Sequence, residues 1–198
     1  MAKKLLITGF DPFGGESINP SWEAVKLLPD RIGDFEITKL QIPTVFGKAA
    51  DAVLLAAEKL CPNVIICVGQ AGGRTAITPE VIGINLREAR IPDNEGNRPE
   101  NEPVIHGGNT AFFSTIPVRK ITDAINALGI PAALSYSAGV FVCNDVLYTV
   151  LHKFDGTDVK AGFIHVPYIH EQPKNGEFAM PLEMIRDGLC AAISSIGE

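Results

Sequence analysis

The apolar run at residues 64–68 (VIICV) is the feature that most constrains the fold of this chain. A strand with apolar side chains on both of its faces must be covered on both sides, which is typical of parallel sheets flanked by helices. Pro62 precedes the run and Gly69 follows it, as expected at the ends of a strand. The run therefore predicts a central strand of an α/β fold.

Segments with strand and helix patterns alternate around this run. Strand patterns cover residues 4–8, 35–42, 81–86, 132–135 and 162–166, and helical patterns cover residues 20–28, 45–60, 117–128, 143–153 and 181–196. Asn19 and Pro20 form a helix start, and Cys61-Pro62 is expected to end the second helix. Residues 90–109 show no periodicity and predict a long loop. The alternation predicts an α/β sandwich with a largely parallel sheet.

The composition narrows the class of protein. The chain has 198 residues, 46% of them hydrophobic, which fits one globular domain spanning residues 1–198. A net charge of -6 without a basic cluster gives no support for nucleic-acid binding. We expect a cytoplasmic protein without membrane contact, because no apolar run reaches spanning length and the N-terminus lacks a signal-peptide pattern.

The four cysteines are scattered and form no CxxC pair, which argues against a zinc knot or a disulfide framework. Cys143 differs from the others because it falls at the start of a predicted helix. There, unpaired N–H groups and the helix dipole favour a thiolate, which makes Cys143 a candidate nucleophile. The alternative is a packing cysteine among apolar neighbours. Cys61, Cys67 and Cys190 are interpreted as packing residues, with oxidation between subunits left open.

A thiol nucleophile needs a base within hydrogen-bond reach and a group that orients the base. His165 ends an apolar strand and is the first candidate base. The alternative is a satisfied core histidine, which would be the favoured interpretation without Cys143. His170 is the second candidate, whereas His106 and His152 have the setting of surface residues. His165, His170 and Glu171 together also allow a metal site on residue type alone, but their spacing matches no ligand pattern.

Three further side chains follow predicted strands. Glu80 precedes an apolar segment and could orient the base, or could be a solvated loop residue. Arg90 could stabilise an oxyanion, or be a surface cation. Gln70 can pair with an amide, because its side chain both donates and accepts. Phe10 and Phe13 stand in a loop at residues 9–15, where exposed aromatic rings suggest a binding role.

The chain resembles the pyroglutamyl peptidase I (pyrrolidone carboxyl peptidase) family of cysteine peptidases nearly from end to end. The matching motifs, in order, are 9–15 (GFDPFGG) with Asn19-Pro20, 69–74 (GQAGGR) through Glu80, 89–96 (ARIPDNEG), 137–139 (SAG) with 143–144 (CN), and 163–167 (FIHVP). Each motif is weak alone, and their common order makes the resemblance specific.

The resemblance implies a cofactor-free cysteine exopeptidase (an omega peptidase) that acts on peptides with an N-terminal pyroglutamate. It implies a triad of Cys143, His165 and Glu80, with the Cys143 N–H and Arg90 as the oxyanion site. For the ring pocket it implies Phe10, Phe13, Thr44, Gln70, Ile91, Phe141 and Val142. It also implies a three-layer α/β/α sandwich, similar to purine nucleoside phosphorylases, and a homotetramer.

Two other functions fit the same architecture. Gly-rich loops could cradle phosphate in a nucleoside phosphorylase-like transferase, and a ligand-binding domain could keep the fold without catalysis. Tyr136 and Glu88 depart from the family pattern, which bears on substrate preference or subunit contacts and leaves the triad unaffected.

Overall fold

A six-stranded mixed sheet forms the centre of the fold. The computed structural model describes residues 2–172 and 176–197. Parallel strands β1 (Lys3–Phe10), β3 (Phe35–Ile42), β4 (Val64–Gln70) and β8 (Lys160–Val166) occupy the middle, and β2 (Arg31–Ile32) and β5 (Thr78–Pro79) are antiparallel at the edges. The order across the sheet is β2-β3-β1-β4-β8-β5.

Helices cover both faces of this sheet, and the alternation of side chains along β4 shows why. Ile66 and Val68 pack in one apolar cluster with α1 (Pro20–Lys26), α3 (Val118–Ala127) and α5 (Leu182–Gly197). Ile65 and Cys67 pack in the other, with α2 (Lys48–Leu60) and α4 (Val142–Lys153). The run at residues 64–68 is therefore apolar throughout because both of its faces are buried. The predicted α/β/α sandwich with a largely parallel mixed sheet is confirmed.

The predicted helix boundaries hold to within a few residues, and the cap signals explain them. The Asn19 side chain accepts a hydrogen bond from the Ser21 N–H, and Pro20 is the first residue of α1, as predicted. At the end of α2, Cys61 adopts the left-handed conformation with φ of 50° and donates its N–H to the Ala57 carbonyl. The helix stops there, immediately before Pro62.

Two strand predictions need correction. Residues 132–135 form no regular strand and make only isolated bridges, Ile77 with Ala132 and Glu80 with Ser135. The reason is that Pro79, in the segment alongside, has no N–H to continue a ladder. The strand predicted at residues 81–86 is shortened to β6 (Ile82–Ile84) and pairs with β7 (Ala111–Phe113) in a separate small sheet.

The remaining segments complete the architecture. Strands β9 (Tyr168–Ile169) and β10 (Ala179–Met180) form a second small sheet beyond β8. Residues 90–109 contain neither helix nor strand, as predicted. Of the helices in the described ranges, none combines the length and apolar character needed to cross a membrane.

Candidate active site

The candidate site lies where the central strands end, and strand register brings its parts together. Because β4 and β8 are paired in parallel, Gly69 lies beside His165. On the other side of β8, Thr78 of β5 pairs with His165. The Glu80 main chain is then held in place, since its N–H donates to the Phe163 carbonyl and its carbonyl accepts from the Ser114 hydroxyl. Residues far apart in sequence thus meet around one histidine.

Glu80 and His165 form a buried pair. The Glu80 carboxylate is 0% exposed and His165 is 3% exposed. Glu80 Oε1 and His165 Nδ1 lie 2.7 Å apart. A carboxylate can only accept a hydrogen bond, so Nδ1 carries the proton and donates it. His165 Nε2 is therefore left as an acceptor, which is what a general base requires.

The protonation states of the pair follow from its surroundings. Burial alone would raise the pKa of Glu80, but the hydrogen bond with His165 and the charge of Arg74 hold that pKa below its ordinary value. Burial lowers the pKa of His165, and the hydrogen bond with Glu80 only partly opposes this. At neutral pH the pair is therefore an ionised carboxylate and a neutral imidazole.

Arg74 completes the cluster, and the sequence analysis missed it as an individual residue. Its Nη1 donates to Glu80 Oε1 at 2.7 Å and to Thr78 Oγ1 at 2.5 Å. Its Nη2 donates to the Ser137 carbonyl at 2.9 Å. Arg74 thus joins the carboxylate to the segment that leads into α4. The available signal was a cation six residues before Glu80 within a Gly-rich loop.

Cys143 is the second residue of α4 and is half-buried, with its sulfur against β4. A Cβ added to Gly69 would lie 3.0 Å from Cys143 Sγ, so the absence of a side chain there admits the sulfur. Because Gly69 pairs with His165, the thiol and the imidazole share this end of the sheet. Both side chains also line one cavity.

The expected stabilisation of a Cys143 thiolate is wrong. Burial raises the pKa of the Cys143 thiol to about 12, and the negative charge of Glu80 acts in the same direction. These effects outweigh the favourable position at the start of a helix. At neutral pH the Cys143 side chain is therefore a thiol, and the His165 imidazole at the same end of the sheet is neutral.

The cavity has a volume of about 340 Å³ and combines aromatic, small and polar side chains. It is lined by Phe10, Phe13, Asn19, Thr44, Gln70, Ala71, Gly72, Arg74, Ser137, Ala138, Gly139, Phe141, Cys143 and His165. The Phe13 and Phe141 ring centroids lie 6.2 Å apart. Phe10 is not an exposed loop residue as expected, since it ends β1 and is buried. Such a slot suits a small, flat, mostly apolar group.

Four residues expected at the site do not line this cavity, and one of them, Glu80, is buried and bonded to His165, which does line it. Val142 is buried in the core on the α2 and α4 side of the sheet. Arg90 is exposed, and Ile91 is 49% exposed. Arg90 and Ile91 lie in a segment fastened beside the cavity at both ends: the Glu88 N–H donates to the Val140 carbonyl, and the Asn94 side chain donates to the Pro12 carbonyl.

The other histidines lie apart from this cluster. His106, His152 and His170 are exposed, and the His170 ring bonds to the Ala179 carbonyl. In residues 2–172 and 176–197, no group of three His, Cys, Asp or Glu side chains is placed to hold a metal ion. His170 and Glu171 therefore do not form a metal cluster with His165.

Comparisons with known proteins agree with this geometry. The pyroglutamyl peptidase family profile matches residues 3–198. The chain is 52% identical over 199 residues to the pyrrolidone-carboxylate peptidase of Staphylococcus saprophyticus, covering 98% of this chain and 93% of the relative. It is 52% identical over 201 residues to that of Staphylococcus carnosus, with the same coverage of both chains.

Solved structures give the same result. The crystal structure of pyroglutamyl peptidase I from Bacillus amyloliquefaciens matches with a TM-score of 0.96 and 47% identity, covering 100% of this chain and 97% of that one. A mutant pyrrolidone carboxyl peptidase from Pyrococcus furiosus matches with a TM-score of 0.92 and 42% identity, covering 98% and 97%. With its sequence matched almost from end to end, the chain belongs to the pyroglutamyl peptidase family.

Proposed function

We propose that this pyroglutamyl peptidase hydrolyses its substrates with Cys143 as nucleophile, His165 as general base and Glu80 as the residue that orients the imidazole. The chain is a cysteine peptidase that removes an N-terminal pyroglutamyl residue from peptides. The observation that carries the proposal is the 2.7 Å bond between Glu80 and His165 beside a half-buried thiol in the same cavity. The phosphorylase-like and non-catalytic alternatives are set aside, because the family is one of peptidases.

The proposed reaction begins from neutral partners. Because the pKa of the Cys143 thiol is about 12, the sulfur loses its proton to His165 Nε2 as it attacks the pyroglutamyl carbonyl carbon. Glu80 stabilises the imidazolium that forms, through the bond to Nδ1. The imidazolium then gives the proton to the nitrogen of the leaving peptide, and the C–N bond breaks to leave a thioester.

Water completes the cycle. His165 accepts a proton from a water molecule while the water oxygen attacks the thioester carbonyl. The C–S bond then breaks, pyroglutamate leaves as a carboxylic acid, and the proton returns to the sulfur. The same imidazole serves both half-reactions because Glu80 keeps its Nδ1 protonated throughout.

The start of α4 supports the proposed oxyanion site. The first N–H groups of a helix have no partner within the helix, and Cys143 is the second residue of α4. Its N–H therefore suits the developing negative oxygen, and loss of one such donor costs on the order of a hundredfold in turnover. The second donor, Arg90, stays a prediction from the family resemblance, since this exposed side chain lies outside the cavity lining.

The cavity lining supports recognition of a lactam. Phe10, Phe13 and Phe141 supply apolar surface, and Gln70 supplies a neutral amide. A pyroglutamyl ring is neutral and flat, with one N–H and one carbonyl. No carboxylate stands among the described residues that line the cavity, so a free α-ammonium group would meet no counterion there.

The test is release of a fluorophore from a pyroglutamyl amide of aminomethylcoumarin. We expect Cys143→Ala to reduce the rate to background, and iodoacetamide to inactivate the wild type by labelling Cys143. Cys61→Ala is the matched control, because Cys61 is an exposed cysteine at the end of α2 and should not matter. Equal rates for Cys143→Ala and wild type would remove the triad assignment.

The oligomeric state and the cellular location of the protein also stay predictions. A homotetramer is proposed from the family resemblance, and size-exclusion chromatography with light scattering measures it directly. The cytoplasmic location is proposed from the sequence, and cell fractionation tests it.

A further inference from the structure

A short relay of hydrogen bonds reaches the cavity from the loop beyond β8, and the proposed mechanism does not use it. The Ile169 N–H donates to Gln172 Oε1 at 3.3 Å. Gln172 Nε2 donates to Gln70 Oε1 at 2.9 Å. Gln172 is 3% exposed, so its amide is fixed inside the protein, whereas Gln70 ends β4 and lines the cavity.

The direction of this relay is set by the backbone. A backbone N–H can only donate, so the atom of Gln172 that faces Ile169 must be its oxygen. The nitrogen of Gln172 then faces Gln70, and an amide nitrogen can only donate. The atom of Gln70 that receives this bond must therefore be its oxygen. The orientation of both amides follows from this argument, although oxygen and nitrogen are similar in size.

The remaining end of the Gln70 amide is an NH2 group. No acceptor within residues 2–172 or 176–197 is hydrogen-bonded to it. This NH2 group therefore faces a cavity of aromatic, small and polar side chains as a positioned donor that has no partner among the described residues. A ligand that fills the cavity must supply an acceptor to satisfy it.

We propose that Gln172 is a positioning residue that holds the Gln70 amide with its NH2 group toward the substrate, where it donates to the lactam carbonyl oxygen of the pyroglutamyl ring. The inference rests on the proposed function, since it takes the cavity as the ring pocket. It assigns the selectivity for a lactam over a prolyl ring to a pair of glutamines. A prolyl ring has the same size but no carbonyl, and would leave the Gln70 donor unsatisfied.

The test is a double-mutant cycle on Gln70 and Gln172. Gln172→Met removes the bond to Gln70 with little change in side-chain length, and we expect KM for the pyroglutamyl amide to rise about tenfold or more, with kcat within about threefold of wild type. The inhibition constant of 2-pyrrolidone, a bare lactam, should rise by the same factor. In a Gln70→Met background, Gln172→Met should change either constant less than about twofold.

Gln172→Glu tests the same positioning role if the Gln172→Met variant does not fold. Gln172→Glu still accepts from the Ile169 N–H, but its other oxygen attracts the NH2 group of Gln70 and turns the carbonyl of Gln70 toward the ring. Inhibition by 2-pyrrolidone should again weaken about tenfold or more. Gln41→Met is the matched control, because Gln41 is an exposed glutamine on β3 and should leave all constants unchanged.

The outcomes separate this inference from the triad. The rate of Cys143 labelling by iodoacetamide should not change in the Gln172 variants, because the relay does not touch the thiol or His165. An unchanged KM in both Gln172 variants, or equal effects of Gln172→Met with and without Gln70, would overturn the positioning role and leave the triad standing. Residual activity of Cys143→Ala would instead overturn the triad.

Discussion

Arg74 joins the two segments that carry the proposed catalytic groups, and its replacement by methionine should weaken both stability and turnover. One guanidinium group bonds Glu80, Thr78 and the Ser137 carbonyl. Methionine keeps much of the apolar stem but supplies no donor and no charge. Glu80 would then be a buried carboxylate whose remaining strong partner is His165.

The expected size of the effect follows from burial. Removing one partner of a fully buried ion pair costs about 3–5 kcal/mol, because the other charge stays buried without compensation. Here Glu80 is 0% exposed but the Arg74 side chain is 28% exposed, so water already screens part of the interaction. Glu80 also keeps its bond to His165. We therefore expect Arg74→Met to lower the free energy of unfolding by about 2 kcal/mol.

Turnover should fall for a related reason. Without the Arg74 charge the pKa of Glu80 rises. The Ser137 carbonyl, in the segment before Cys143, loses its charged donor and keeps only the bond from the Ser135 hydroxyl among the described residues. A misplaced nucleophile and a less anionic orienting group should together lower kcat/KM by about 10- to 100-fold. The acid limb of the pH–rate profile should also move to higher pH.

The measurements are urea unfolding and the pH dependence of pyroglutamyl amide hydrolysis. Arg74→Lys is a graded variant, because an ammonium keeps the charge but cannot reproduce the planar fork, and it should fall between wild type and Arg74→Met. Arg119→Met removes an exposed arginine of α3 and serves as the control. If Arg74→Met matched this control in both assays, the joining role of Arg74 would be wrong.

Two further predictions concern stability. Burial lowers the pKa of His165 from 6.5, so below that pH the unfolded chain binds a proton at this histidine more strongly than the folded chain does. The melting temperature should therefore fall as the pH drops below about 6.5. The pKa of Glu80 is lowered from 4.5, so the melting temperature should fall further below about pH 4.5 as this carboxylate takes up a proton. In the plot of melting temperature against pH, His165→Asn should reduce the slope between about pH 6.5 and 4.5. Gly9→Ala should cost about 1–3 kcal/mol in urea unfolding, because its Cβ would lie 2.6 Å from the backbone of Trp22. Gly197→Ala, whose Cβ would make an ordinary 3.4 Å contact, should change little, and equal stability of the two variants would contradict this account.

The fold was predictable because its strongest constraint is local. A five-residue apolar run can be buried on both faces only inside a covered sheet, and the side chains of residues 65–68 do alternate between the two helical layers. The helix ends were also predictable where one residue decides them, as Asn19 does for α1. The predicted strand at 132–135 failed because its partner segment contains Pro79, a constraint that lies elsewhere in the chain.

The site was predictable in position but not in charge state. His165 lies near the end of a predicted strand, and Glu80 closes the loop that follows the strand at residues 64–68. Because the ends of parallel strands meet at one edge of a sheet, a meeting of these two side chains could be expected. The state of Cys143 could not, because the helix start is visible in the sequence whereas burial and the nearby Glu80 carboxylate arise only on folding. The exposure of Arg90 could not be predicted either, because a position within a site motif does not determine whether the side chain faces the cavity or solvent.

Arg74 and Gln172 were missed for a common reason. Each acts through another side chain, and the contact that defines its role crosses the chain, from residue 74 to residue 137 and from residue 172 to residue 70. The residue type shows that a side chain can form such a hydrogen bond, but it does not predict which residue is the partner. Only the pairing of β4 with β8 places Gln70 beside Val166, at the start of the loop that carries Gln172.

The charges of the site explain why a blocked N-terminus is the better substrate. Glu80 lies outside the cavity lining and is bonded to Arg74 and His165, so it is not placed to act as a counterion for a ligand, and Arg74 is the one charged side chain among the described residues of the lining. An ordinary peptide would have to bring an ammonium group out of water into this cavity beside a fixed cation. The cost of moving an unpaired charge out of water far exceeds what a small ring can recover by apolar contact. A lactam carries no such charge, and its carbonyl meets a donor that Gln172 holds in place. The selectivity for a blocked N-terminus thus follows from two features of the cavity: its lining offers no counterion to an ammonium group, and the Gln70 amide offers a donor to the lactam carbonyl.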